Sequence, residues 1–226
     1  MGTITHDKRP CSRIVTQPPQ LSSSVVSSAV ARSACPIVGD ANGDMWVFGY
    51  GSLMWHPDFP HRETAPALLR GYHRALCIYS TRYRGTADSP GLVLGLDRGG
   101  SCRGLAFRVA SEDAEAVRDY LWEREMLGYA YRAKWLPVRT THGTVRALTF
   151  VVDRMRRADY AGRLDDESLI ERILRGRGQR GSSLEYLEST VRHLDELGIR
   201  EGALHRLLGL ARQRRASAVP DQSGKP

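Results

Sequence analysis

Between residues 46 and 152 the chain is cut by glycine-bearing turns into closely spaced, β-prone apolar runs. Trp46 to Tyr50, Leu68 to Tyr79, Leu92 to Leu96, Gly104 to Val109, Trp135 to Arg139 and Thr144 to Val152 are the runs. Gly51-Ser52, Pro90-Gly91, Gly99-Gly100 and His142-Gly143 are the breaks between them. Runs and turn residues in this rhythm predict about six strands, mostly short, in an antiparallel or mixed sheet. Curling such a sheet into a barrel would remove its exposed edges.

Helices interrupt this pattern once and then finish the chain. Ser111, followed by Glu112 and Asp113, reads as an N-cap with acidic residues in the first turn. The stripe Val117, Tyr120 and Leu121 continues from it. A second helix is predicted from about Asp165 to Arg175, stopped by Gly176. A third starts at Ser182, where Ser182 and Glu185 fit a capping box, and ends at Gly198. A fourth spans roughly Glu201 to Gln213 on Leu204, Leu207, Leu208 and Ala211. Strands, one helix, strands and then helices is an α+β order.

The chain's 226 residues suffice for one domain with a real core plus tails. No run approaches the ~18 apolar residues of a membrane helix. Cys11, Cys35, Cys77 and Cys102 contain no CxxC pair, which argues against a zinc site or a disulfide framework and suits a reducing, cytoplasmic compartment. The net charge of +8 invites a nucleic-acid reading. Against that, Lys8, Lys134 and Lys225 are the only lysines among 33 basic residues, and the arginines are scattered without interleaved aromatics. Nucleic acid is therefore not an expected partner, nor is a membrane.

Residues 1–44 hold seven serines, no aromatic residue and no acidic residue between Lys8 and Gly39. They read as a disordered extension; a transit peptide shares that composition. Residues 45–212 form the expected domain, and 213–226 a polar, frayed tail.

No Walker A loop, HExxH or GxSxG is present, and no metal or nucleotide cofactor is expected. One GxGxxG occurs, at Gly176 to Gly181. It follows a helix rather than a strand, so it reads as a loop between helices and not as a dinucleotide site. Gly49-Tyr50-Gly51-Ser52 follows a buried strand. Glycines astride an aromatic let the backbone turn tightly and approach a ligand; a side chain at Gly51 would intrude on that approach, and a positive φ there would add strain. Glu125 is the other notable residue. On a wheel from Val117, advancing about 100° per residue, Leu121, Arg124 and Glu125 fall within about 80° of it, whereas Glu123 points away. A glutamate on an apolar face costs energy unless it is paired or has chemistry to perform. The wheel alone leaves both open.

Several segments together resemble the ChaC family of glutathione-specific γ-glutamylcyclotransferases. They are Met45 to Trp55, Gly71 to Arg74, Arg84 to Thr86 with Pro90-Gly91, Val93 to Leu96, Cys102 to Gly104, Tyr120 to Glu125, and Gly178 to Gly181 with Glu185-Tyr186-Leu187. They follow the family's order over about residues 45–210. The resemblance implies a small closed mixed β-barrel flanked by helices, with a helical C-terminal part. It implies conversion of glutathione to 5-oxoproline and cysteinylglycine. It implies Glu125 as the catalytic residue, and Val47, Phe48, Gly49, Tyr50, Gly51, Ser52 and Leu53 as the substrate-binding loop. The sequence departs from the family at Ser183, where asparagine is usual, and in its N-terminal extension. Other readings of the chain are a cyclotransferase for other γ-glutamyl compounds, a non-catalytic transporter partner and a basic RNA-binding domain.

Overall fold

The computed structural model describes residues 36–126 and 130–217. Five strands close into a barrel in the order β1 (Met45–Gly49), β3 (Gly91–Val109), β2 (Glu63–Ser80), β4 (Tyr131–Thr140) and β5 (Gly143–Val152). Every pairing is antiparallel except the seam, where Trp46 and Val47 lie parallel to Ala147 and Leu148. The barrel is therefore closed and mixed. Two strands are far longer than the turn pattern predicts. β2 and β3 pair from Glu63↔Arg108 to Ser80↔Gly91 as one hairpin. Gly99 and Gly100 do not reverse the chain. They form a bulge inside β3, opposite Gly71, and all three glycines have positive φ. The extra residue bends both strands together, so one hairpin serves two neighbours: Leu105 to Val109 pair with β1, and Ala67 to Leu69 with β4.

All five residues of β1 are buried, because both of its faces are covered. Met45 and Val47 join α1 (Ala114–Met126) through Val117, Leu121 and Trp122, with Phe107, Leu148 and Phe150. Trp46 and Phe48 face the other cluster, which α2 (Asp166–Arg175), α3 (Ser183–Glu196) and α4 (Gly202–Ser217) complete through Ile173, Leu187, Leu194 and Leu207. The α3 capping box is as predicted, and α2 has an N-cap that the sequence reading did not name. The Asp165 carboxylate accepts from the Ser168 amide, and Ser182 and Glu185 form a full capping box. Such caps contribute about 1 kcal/mol each.

Three sequence expectations are corrected. Ser111 does not cap α1; residues 111–113 form a turn, the helix begins at Ala114, and the Ser111 amide donates to Asp44. α4 runs to Ser217, past the expected boundary at 212. At the other end, residues 40–44 already belong to the folded unit. The Asp40 carboxylate accepts from the amides of Asn42 and Asp44 and from the Trp46 indole, while Asp44, 1% exposed, pairs with Arg108 and Arg62. Residues 1–35, with Cys11 and Cys35, and residues 218–226 lie outside the described residues. Cys77 and Cys102 are buried free thiols, pushed up to about 12 and about 11 by burial. Among the described residues no helix is long and apolar enough to cross a membrane.

Candidate active site

Where β1 ends, the chain turns through Tyr50 and Gly51 into a 3₁₀ turn, Ser52–Met54. A buried arginine fixes that turn from below. The Arg74 guanidinium, with no exposed side-chain surface, donates through Nε to the Tyr50 carbonyl, through Nη2 to the Arg103 carbonyl at 2.7 Å, and pairs with Glu201. A buried cation is tolerated only with such a full set of acceptors.

α1 fixes the turn from the side. Arg124 Nη1 donates to the His56 carbonyl (2.6 Å), the Tyr120 hydroxyl (2.8 Å) and Asp58 (3.2 Å), while Nη2 donates to Ser52 Oγ (3.2 Å). Arg124 thus ties residues 52–58 to the helix that carries Glu125. Its Nε lies 3.4 Å from the Glu125 carboxylate.

Between these elements lies a pocket of about 350 Å³, its open mouth included. One wall is Tyr50, Gly51, Ser52 and Leu53. The other is Glu125 with Leu94, Tyr131, Phe150 and Tyr186. Four of the seven predicted loop residues therefore line the pocket. Val47 and Phe48 are instead core residues of β1. Gly49 sits under the turn, where a Cβ would lie 3.2 Å from both Leu53 Cβ and Phe107. Gly51 does not have positive φ: its φ is −134°. A Cβ there would meet only the Leu94 Cδ1 methyl, at 3.8 Å. The residue spares pocket space rather than backbone strain.

The wheel placed Glu125 on the covered side of α1 and Glu123 outside, and Glu123 is exposed. Glu125 keeps 18% of its side-chain surface accessible, at the pocket, while protein atoms crowd it elsewhere. Burial raises its carboxyl above the usual range; Arg124 pulls in the opposite direction and is outweighed.

Three phenols surround the carboxyl. Tyr131 donates to the Leu94 carbonyl (2.8 Å), and the Leu94 amide donates to the Tyr186 hydroxyl (3.3 Å). Burial raises Tyr50 and Tyr131 well above their usual value and Tyr186 to about 12. All three are neutral near pH 7; the Tyr131 proton is already given to the Leu94 carbonyl, so that hydroxyl presents only its oxygen, as an acceptor. Sequence reasoning missed Tyr131, Phe150 and Leu94 as wall residues. Leu94 and Tyr186 stand in motifs quoted above, but nothing local marked either as a wall. Among the described residues no three His, Cys, Asp or Glu side chains gather as metal ligands.

Residues 45–214 match the model of the family described as ChaC-like protein. The glutathione-specific γ-glutamylcyclotransferase of Escherichia coli (strain K12) is 35% identical over 185 residues, covering 81% of this chain and 80% of its own. The glutathione-specific γ-glutamylcyclotransferase 1 of Mus musculus is 35% identical over 178 residues, covering 76% and 77%. A solved yeast γ-glutamyl cyclotransferase specific to glutathione superimposes with a TM-score of 0.67 at 21% identity, covering 76% of this chain and 99% of that one. This last likeness is one of fold.

Proposed function

Since the chain belongs to the ChaC-like protein family, we propose that it is a glutathione-specific γ-glutamylcyclotransferase with Glu125 as its general acid and base. One observation carries the assignment of residues: Glu125 and the Tyr50–Leu53 turn face each other across one pocket, and burial raises the carboxyl.

The chemistry fits this inventory. The substrate brings its own nucleophile. Its α-amine nitrogen forms a bond to the γ-glutamyl carbonyl carbon, a five-membered lactam closes, and the bond to the cysteine nitrogen breaks. One proton moves from the attacking nitrogen to the departing one. Glu125 accepts it and then delivers it, and a carboxyl raised toward the working pH suits both halves. The amides of Ser52 and Leu53 head the 3₁₀ turn and have no acceptor within it. The Tyr50 carbonyl is held by Arg74. In this reading these amides stabilise the oxyanion that develops on the carbonyl. Tyr50, Tyr131 and Tyr186 enclose the folded glutamyl arm and hold it near the attack geometry. A cytoplasmic location belongs to the same reading, supported by the unpaired thiols of Cys77 and Cys102.

The test is product analysis. Purified chain incubated with glutathione should give equal amounts of 5-oxoproline and cysteinylglycine, and less turnover with γ-glutamyl-alanine. Preference for γ-glutamyl-alanine would move the chain to another γ-glutamyl substrate class.

A further inference from the structure

The Gly176 to Gly181 segment is not an open loop. β6 (Arg177–Gly178) and β7 (Gly181–Ser182) form a short ribbon. The amides of Gln179 and Arg180 donate to the carbonyls of Arg82 and Tyr83, both at 2.9 Å. This zip gathers cations. The guanidiniums of Arg82 and Arg180 lie 5.5 and 4.5 Å from the centre of the Tyr83 ring. Arg84, from the same segment, donates to the carbonyls of Arg180 and Ser182. Its guanidinium lies 5.2 Å from the centre of the Tyr186 ring, and Tyr186 lines the pocket.

Like charges brought together destabilise a fold unless something offsets them. Arg82 and Arg84 bond only to neutral groups, Gln179 and the two carbonyls, and none of Arg82, Arg84 and Arg180 forms an ion pair among the described residues. The nearby acid, Glu185, directs its Oε2 to the Ser182 amide and lies 3.9 Å from Arg177. Burial foremost, with the Arg180 charge adding to it, lowers the proton affinity of Arg84, and the Glu185 carboxylate only partly opposes this. Guanidiniums that outnumber the one nearby acid, Glu185, with Arg84 stacked on the pocket residue Tyr186, are matched to a carboxylate, which they bind with charge-assisted hydrogen bonds. If the glutamyl end of glutathione reacts at Glu125, the end left over is the glycine carboxylate.

We propose that Arg84 and Arg180, with Arg82 beside them, form a carboxylate-recognition site for the glycine end of glutathione. This rests on the function proposed above. It makes these arginines the determinants of preference for a tripeptide acid over γ-glutamyl amines, which carry no carboxylate at that end.

Binding separates the two ideas. Titration calorimetry on the full chain carrying Glu125→Gln compares glutathione with its glycinamide, which lacks only the terminal charge. Glutathione is expected to bind about 10- to 100-fold more tightly. Arg180→Gln and Arg82→Gln change exposed side chains, so the fold should survive, as thermal melts will check. Arg180→Gln should erase most of the difference by weakening glutathione and leaving the amide unchanged. Arg84→Gln should do the same if its melt is normal. Equal affinities for acid and amide, or an unchanged ratio in Arg180→Gln and Arg82→Gln, overturn the proposal. Turnover is read separately on the unsubstituted chain. No 5-oxoproline together with a retained acid preference would sink the catalytic reading and leave this site standing.

Discussion

Replacing Arg74 by methionine tests how the pocket turn is held. Methionine keeps most of the apolar stem and removes the guanidinium. Three acceptors then lose their donor: the Tyr50 carbonyl, the Arg103 carbonyl and Glu201. Arg74 is wholly buried, whereas Glu201 keeps 23% of its side-chain surface exposed, so the carboxylate recovers part of its hydration and the two carbonyls little. Removing one partner of a buried pair costs about 3–5 kcal/mol. In a domain of this size that lowers the melting temperature by about 6–20 °C. Adding Glu201→Leu should restore only a minority of the loss, since each stranded carbonyl still costs about 1–3 kcal/mol. Below the transition, turnover per folded molecule should fall at least tenfold, because the Tyr50 carbonyl no longer anchors the turn. Circular dichroism melts beside initial rates with glutathione measure both effects. A melt within 2 °C of the parent, or full recovery in the double variant, would refute this account of the buried cation.

Three more expectations concern the pocket. Arg124→Gln should cut kcat about tenfold by releasing the turn at Ser52 and His56, and should move the acid limb of the pH–rate profile upward, since the cation that lowers Glu125 is gone; an unmoved limb contradicts the pairing. Glu125→Gln should melt above the parent at pH 8, with the gap closing as pH falls. The raised carboxyl stabilises the fold only below the unfolded glutamate range near pH 4.3 and loses that contribution as pH rises through its folded value; a pH-independent gap would show that burial does not raise it. Gly51→Val should leave the melting temperature within a few degrees and raise KM for glutathione about tenfold or more, because the new methyls enter the pocket beside Leu94; loss of folding instead would make Gly51 a structural residue only.

Much of the architecture is readable from the chain because it depends on local chemistry. The capping box at Ser182 and Glu185 closes within four residues of sequence. The side of α1 that holds Glu125 follows from helical period alone. The misreadings have equally local causes. Gly99-Gly100 carries the positive φ of a turn, but a bulge needs the same freedom, and only the partner strand distinguishes them. The polar composition after Arg212 suggests fraying, yet Arg, Gln and Ala are good helix formers and α4 continues to Ser217. The grip of Arg124 on the turn spans 66 to 72 residues of sequence, and Arg74 reaches Glu201 over 127. Tyr131 had no local mark, since an aromatic residue opening a strand is ordinary core material.

The central claim is that the Glu125 carboxyl carries the proton during cyclisation. The direct measurement is kcat for glutathione in Glu125→Gln against Glu123→Gln, with 5-oxoproline quantified by mass spectrometry and folding checked by melts. The account predicts a loss on the order of 10²–10⁴ for Glu125→Gln, glutathione binding retained, and a nearly unchanged rate for Glu123→Gln, whose side chain is exposed. A Glu125→Gln rate within tenfold of the parent, or a comparable loss in Glu123→Gln, would contradict it.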